Sequence, residues 1–95
     1  MQTRPSGPVV PPVLYLPVKR GDDTEVSVVR MPVAGGRSAL LAYTALDRLA
    51  SGCGEGQEWT LIFTERLPEL VQQAHFDTIA FDVNFPGGLA KARQL

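Results

Sequence analysis

The chain reads as one α+β domain: a single, mostly antiparallel sheet of about five strands in the order β-β-β-α-β-α-β, with two helices on one face. Two observations predict this. A strand-then-helix signal occurs twice in the second half, first as Leu40-Leu41-Ala42-Tyr43-Thr44-Ala45-Leu46-Asp47-Arg48-Leu49 and then as Leu61-Ile62-Phe63-Thr64-Glu65-Arg66-Leu67-Pro68-Glu69-Leu70. In each copy an apolar run ends in an aromatic, a Thr breaks it, and leucines three apart follow. The first half instead sets short β-branched runs between turn-forming residues, the pattern of an antiparallel meander.

Residues 1–12 hold Pro5, Pro8, Pro11 and Pro12 around Ser6 and Gly7. Proline fixes φ and removes a donor, so an extended leader is expected, with a ligand for a proline-recognition groove as the functional alternative. Val13 to Val18 is the first strand, and Pro17 places it at an edge or turns that residue away from a partner. Lys19 to Thr24 is a polar turn, and Glu25 to Val33 is the second strand, with Val26 and Val28 on one face. Ala34-Gly35-Gly36-Arg37 reverses the chain into a third strand, Ser38 to Tyr43. Thr44 and Asp47 fit a capping box that opens a short helix over 45–50, closed by the glycines of Ser51 to Gly56. Trp59 to Phe63 is the fourth strand. Pro68, suited to a first helical position, opens the second helix, which runs to about His75 on an apolar face of Leu67, Leu70, Val71 and Ala74. Thr78 to Val83 is the last strand, Asn84 to Gly88 ends it, and residues 89–95 are expected to fray. The domain proper is thus 13–88.

Ninety-five residues make one domain. A chain this short buries only about 60–65% of its unfolded surface, so most of its apolar residues must reach the core. Nine basic residues stand against ten acidic ones for a net charge of −1, without a basic stripe. That argues against a nucleic-acid partner, whose phosphates demand a cationic surplus. Cys53 is the one cysteine, so neither an internal disulfide nor a thiolate metal cage is expected. No apolar run approaches the ~20 residues that span a bilayer, and no secretory leader is read, so a cytoplasmic location and no membrane insertion are expected.

Several of these residues resemble the SseB N-terminal-domain family. Tyr15-Leu16-Pro17-Val18 matches its proline-bearing first strand, and residues 41–49 match its aromatic-Thr strand end followed by a leucine-marked helix. The Leu67–Leu70 helix, the strand Ile79-Ala80-Phe81-Asp82 and the turn Asn84-Phe85-Pro86-Gly87 are similar to its closing segment. The resemblance spans 13–87. It implies a small bacterial α+β domain, found in actinobacteria among others, with a poorly defined role and no catalytic residues to carry over. Phe85 between Asn84 and Pro86 departs from the pattern.

Candidate chemistry is sparse. Cys53, between two glycines at a helix C-terminus, lacks the cationic surroundings that lower a thiol pKa. A Cys53–His75 dyad requires the fold to bring the two together. His75 at the end of the second helix has a sufficient structural reason in the helix dipole. Asp77 and Asp82 flank the last strand; Asp82 is expected to face solvent and Asn84 to make an Asx-type turn, and the alternative to an interaction module is a small enzyme or small-molecule-binding domain using Cys53 with His75 or Asp82 with Asn84. No metal or cofactor is expected.

Surface residues point further. Val29 and Met31 alternate opposite Val26 and Val28, which places them on the helix-free face. Tyr43 and Trp59 combine an apolar body with a polar tip, and Trp59 reads first as core and second as an exposed anchor. These four, Val29, Met31, Tyr43 and Trp59, are the candidate contacts of a non-catalytic interaction module that takes a protein partner or forms a homodimer through the sheet face or an edge strand.

Overall fold

The computed structural model describes residues 11–22 and 25–92. The strands and helices are β1 (Val13–Arg20), β2 (Val26–Val28), β3 (Arg30–Val33), β4 (Arg37–Ala42), α1 (Leu46–Cys53), β5 (Trp59–Phe63), α2 (Leu67–Gln73), β6 (Thr78–Phe81) and α3 (Leu89–Ala92). Single 3-10 turns over Ala34–Gly36 and Thr64–Arg66 complete them. Residues 1–10 of the leader read over 1–12 lie outside the described residues. Its last residues, Pro11 and Pro12, turn their carbonyls to the Thr64 hydroxyl and amide.

The α+β class holds, but the strands form two three-stranded sheets rather than one of five, ordered β2-β1-β5 and β3-β4-β6. All pairings are antiparallel except β4 with β6. What reads as one strand over 25–33 changes partner at Val29. Val28 still pairs with Val18, whereas Arg30 pairs with Leu40. Between them the Val29 N–H donates to the Pro17 carbonyl at 3.2 Å, and Pro17 has no N–H to return. The ladder to β1 stops there. Tyr15 and Tyr43 then exchange both backbone hydrogen bonds, at 2.9 and 2.8 Å, and join the two sheets.

The helices lie on both faces, contrary to the sequence reading. Leu67, Leu70 and Val71 of α2 pack with Leu14, Leu16, Leu40 and Ala42. Leu49 and Cys53 of α1 and Leu89 of α3 pack with Leu41, Tyr43 and Val29 on the opposite side. The reason is in β4, whose alternate residues are apolar in both directions, so each side demands a cover. Val29 is therefore core, not surface. Residues 89–92, read as tail, form a helical turn anchored by fully buried Leu89.

α1 runs three residues beyond the helix read over 45–50 and ends at Gly54, whose φ of 108° and N–H to the Ala50 carbonyl close it. Gly52 consequently sits inside the helix, against the backbone of the last loop. Its carbonyl accepts the Phe85 N–H at 2.8 Å, and a β-carbon there would stand 2.5 Å from the Val83 carbonyl oxygen and 3.1 Å from the Tyr43 ring. An Ala for Gly exchange ordinarily stabilises a helix interior by about 0.5–1 kcal/mol. Gly52→Ala should instead cost about 2 kcal/mol, because backbone must give way. Gly56→Ala, where no atom stands within 4 Å, should stay within about 0.5 kcal/mol of the parent in the same urea titration.

Candidate functional site

The two enzymatic alternatives fare differently. Cys53 is buried beneath α1 beside Tyr43, whereas His75 is exposed past the end of α2, in a left-handed conformation with φ 58°. The helices that carry them cover opposite faces, so the sheet stands between them and no dyad forms. Burial pushes the Cys53 thiol up from its ordinary value, and the neighbouring Tyr43 hydroxyl offsets only part of that. Such a thiol is a packing group.

Asp82 and Asn84 do share a depression of about 340 Å³, with Arg48, Ser51 and Gly52. The Asp82 carboxylate is already occupied. It accepts the Thr44 N–H and the Thr44 hydroxyl at 2.9 Å each, and the Arg48 guanidinium at 3.1 Å. This replaces the expected capping box: α1 makes no side-chain cap, and Thr44 turns instead to a residue across the β4–β6 pairing. Partial burial alone raises the Asp82 pKa, but the Thr44 and Arg48 contacts together hold it below the ordinary carboxylate value. Asp82 also takes a φ of 53°, which Asp and Asn tolerate better than most residues. Its role is to fasten the end of β6 to the start of α1. Among the described residues, no group of three or more His, Cys, Asp or Glu side chains stands close enough to hold a metal ion, and no helix is long and apolar enough to cross a membrane.

The four surface candidates separate. Tyr43 and Val29 are core, at 0% and 2% exposure, and Met31 is half-buried against the same cluster. Trp59 is 44% exposed, contrary to the core packing read for it first. It does not stand alone. Leu61 and Phe63, two and four residues on, are 45% and 58% exposed, and strand alternation puts all three on one side of β5. Tyr15 from β1 meets Trp59 edge-to-face, with ring centroids 5.5 Å apart. Leu61 and Phe63 are not singled out by the sequence, because an apolar strand ordinarily signals core; the in-phase spacing of 59, 61 and 63 is the signal that marks them.

The backbone of β5 is equally open. Tyr15 spends its N–H and carbonyl on Tyr43, so the β1–β5 hydrogen bonds run through Leu14 with Ile62 and Leu16 with Thr60. Glu58 and Thr64 continue the same even-numbered register, to Val18 and Pro12. The N–H and carbonyl groups of Trp59, Leu61 and Phe63 therefore point outward, and no described strand meets them. Beside this edge lies a cleft of about 350 Å³ floored by Ile62 and Leu70 and rimmed by Arg66, Glu69 and Gln73.

Two outcomes test these assignments. Because the folded Asp82 carboxyl holds its proton more weakly than the unfolded one, its stabilisation is complete above about pH 4 and fades as pH falls through the lower folded value. Asp82→Asn, which keeps the left-handed backbone accessible, should lose about 1–2 kcal/mol at neutral pH and show a shallower acid limb in urea midpoints. Cys53 should react with an aromatic disulfide reagent at least about 100-fold more slowly in the native protein than in denaturant, since access requires opening of the cluster.

No protein-family model matches the chain, and neither a curated protein nor a solved structure matches it.

Proposed function

We propose that this chain is a non-catalytic protein-interaction module whose working surface is the open edge of β5. One observation carries the reading: a strand that exposes three large apolar side chains also presents three residues of backbone that no described strand pairs, beside a preformed cleft. Backbone groups of this kind supply affinity by strand addition, and the side chains that alternate with them supply selectivity. The groups with acid-base potential give a catalytic reading little support, because Asp82 is spent on Thr44 and Arg48 and Cys53 is enclosed. The resemblance of residues 13–87 to the SseB N-terminal-domain family belongs to this proposal, as does a bacterial cytoplasmic setting, which suits a chain with a single cysteine.

Site-specific photocrosslinking tests it. A benzophenone-bearing phenylalanine in place of Phe63 should yield protein adducts, self-adducts included, in a lysate of the producing cell. The same group in place of exposed Asp47 on α1 should yield none. Absence of adducts at Phe63, or equal yield at both positions, overturns the assignment of this edge.

A further inference from the structure

The β5 edge fits one partner by its own symmetry. Resting on the interaction reading above, we propose that two copies of this chain pair β5 against β5 in antiparallel register centred on Leu61.

Which groups face outward fixes the parity of the register, and centring it on Leu61 is the choice that pairs all three outward residues. A two-fold axis beside Leu61 sets Leu61 against Leu61 of the second copy and Trp59 against its Phe63. All three residues point their N–H and carbonyl groups to the open edge, so each of these pairs exchanges both backbone hydrogen bonds. A shift by one residue would meet groups already used by β1. On the exposed side the same register stacks a Trp–Phe pair to each side of a leucine pair, the aromatic cross-strand combination that stabilises sheets. On the other side Thr60 and Ile62 of the second copy enter beside the cleft, whose rim carries Arg66 and Glu69. One cation and one anion on each copy leave no net repulsion across the axis.

The remaining edges are guarded and this one is not. β2 has three residues, β3 carries Arg30 and Pro32, and β6 is cut short by left-handed Asp82. Charge, proline and brevity are the usual means of keeping an edge from pairing. Trp59-Thr60-Leu61-Ile62-Phe63 has none of them over five residues.

The area bounds the class of interface. With whole side chains of roughly 200 Å², the exposed parts of Trp59, Leu61 and Phe63 contribute roughly 300 Å² per copy. Two copies then bury roughly 600 Å² through these side chains, and with their backbone edges the pairing falls in the weak, transient class of interface, below about 1,200 Å². An interface of that class dissociates at ~10 μM or more weakly.

Sedimentation velocity on the 95-residue chain, from about 1 to 500 μM, should show mass rising from one copy to two within that range. Leu61→Lys should raise the dissociation constant at least about 100-fold while circular dichroism and the thermal midpoint hold, since the side chain is exposed. Leu61→Cys should oxidise to a linked dimer at low protein concentration, because facing α-carbons in such a pair stand about 5.5 Å apart. Asp47→Cys should not. A parent chain that stays monomeric throughout overturns the proposal, as does a dimer that survives Leu61→Lys in a folded variant. A folding defect in Leu61→Lys leaves the decision to the cysteine pair, where failure of Leu61→Cys to link overturns it. A monomeric parent whose Phe63 crosslinker still captures a different protein removes the second copy as occupant and retains the interaction reading; a parent without any adduct at Phe63 removes both.

Discussion

Tyr43 is the point on which both sheets lean. Its backbone exchanges two hydrogen bonds with Tyr15 and so joins β4 to β1, while its side chain, wholly buried, fills the cluster under α1. A buried phenol must find a partner or cost several kcal/mol, about 2–7 by transfer measures. Its hydroxyl donates to the Val83 carbonyl at 2.6 Å, and burial pushes its pKa above the ordinary tyrosine range, so the proton stays in place. That bond, with the one from the Phe85 N–H to the Gly52 carbonyl, holds the loop after β6 against α1. Phe85 and Leu89 then drop into the same cluster, which is why the last segment packs as a helical turn.

Element types were legible in the sequence where periodicity decides them. β5 occupies the residues read as its strand, and α2 opens with proline in its first turn. Partner choice was not legible. The run from Glu25 to Val33 has one strand's pattern, and nothing local marks Val29 as the residue where the ladder passes from β1 to β4. Thr44 shows the same limit. Its hydroxyl satisfies a capping box three residues away or an aspartate thirty-eight residues away equally well on local grounds, and only the β4–β6 pairing brings Asp82 close enough to decide.

The candidate site was half legible, for a reason of area. A helix about 10 Å across covers about two strands spaced at ~4.8 Å. α1 and α3, eight and four residues long, lie over the Tyr43 side of the structure and leave the same side of β5 bare. Trp59, Leu61 and Phe63 have the composition of core residues and lack only a helix above them. Val29 and Met31 invert this relation. Their alternation matched a solvated face, but the face they share with Tyr43 is the one α1 covers.

An apolar edge invites unlimited pairing unless something bounds it. Here both ends are bounded. Arg20 and Glu58 form an ion pair where β5 begins, with a hydrogen bond of 2.8 Å, and Glu65, Arg66 and Glu69 follow where it ends. Charges that flank an apolar strand act as gatekeepers, so an added strand can be apolar over only five residues. Symmetry bounds the growth further. Two identical edges paired about a two-fold axis consume each other, leaving a closed sheet whose outer strands are the three-residue β2 of each copy. A head-to-tail contact between β5 and a different surface would leave one open edge for every one it covered. Among the described residues no second edge matches it in length and polarity, since β2 has three residues, β3 carries Arg30 and Pro32, and β6 has four residues and stops before left-handed Asp82. Under the proposed two-fold pairing, closure would thus follow from which edge is left open among the described residues.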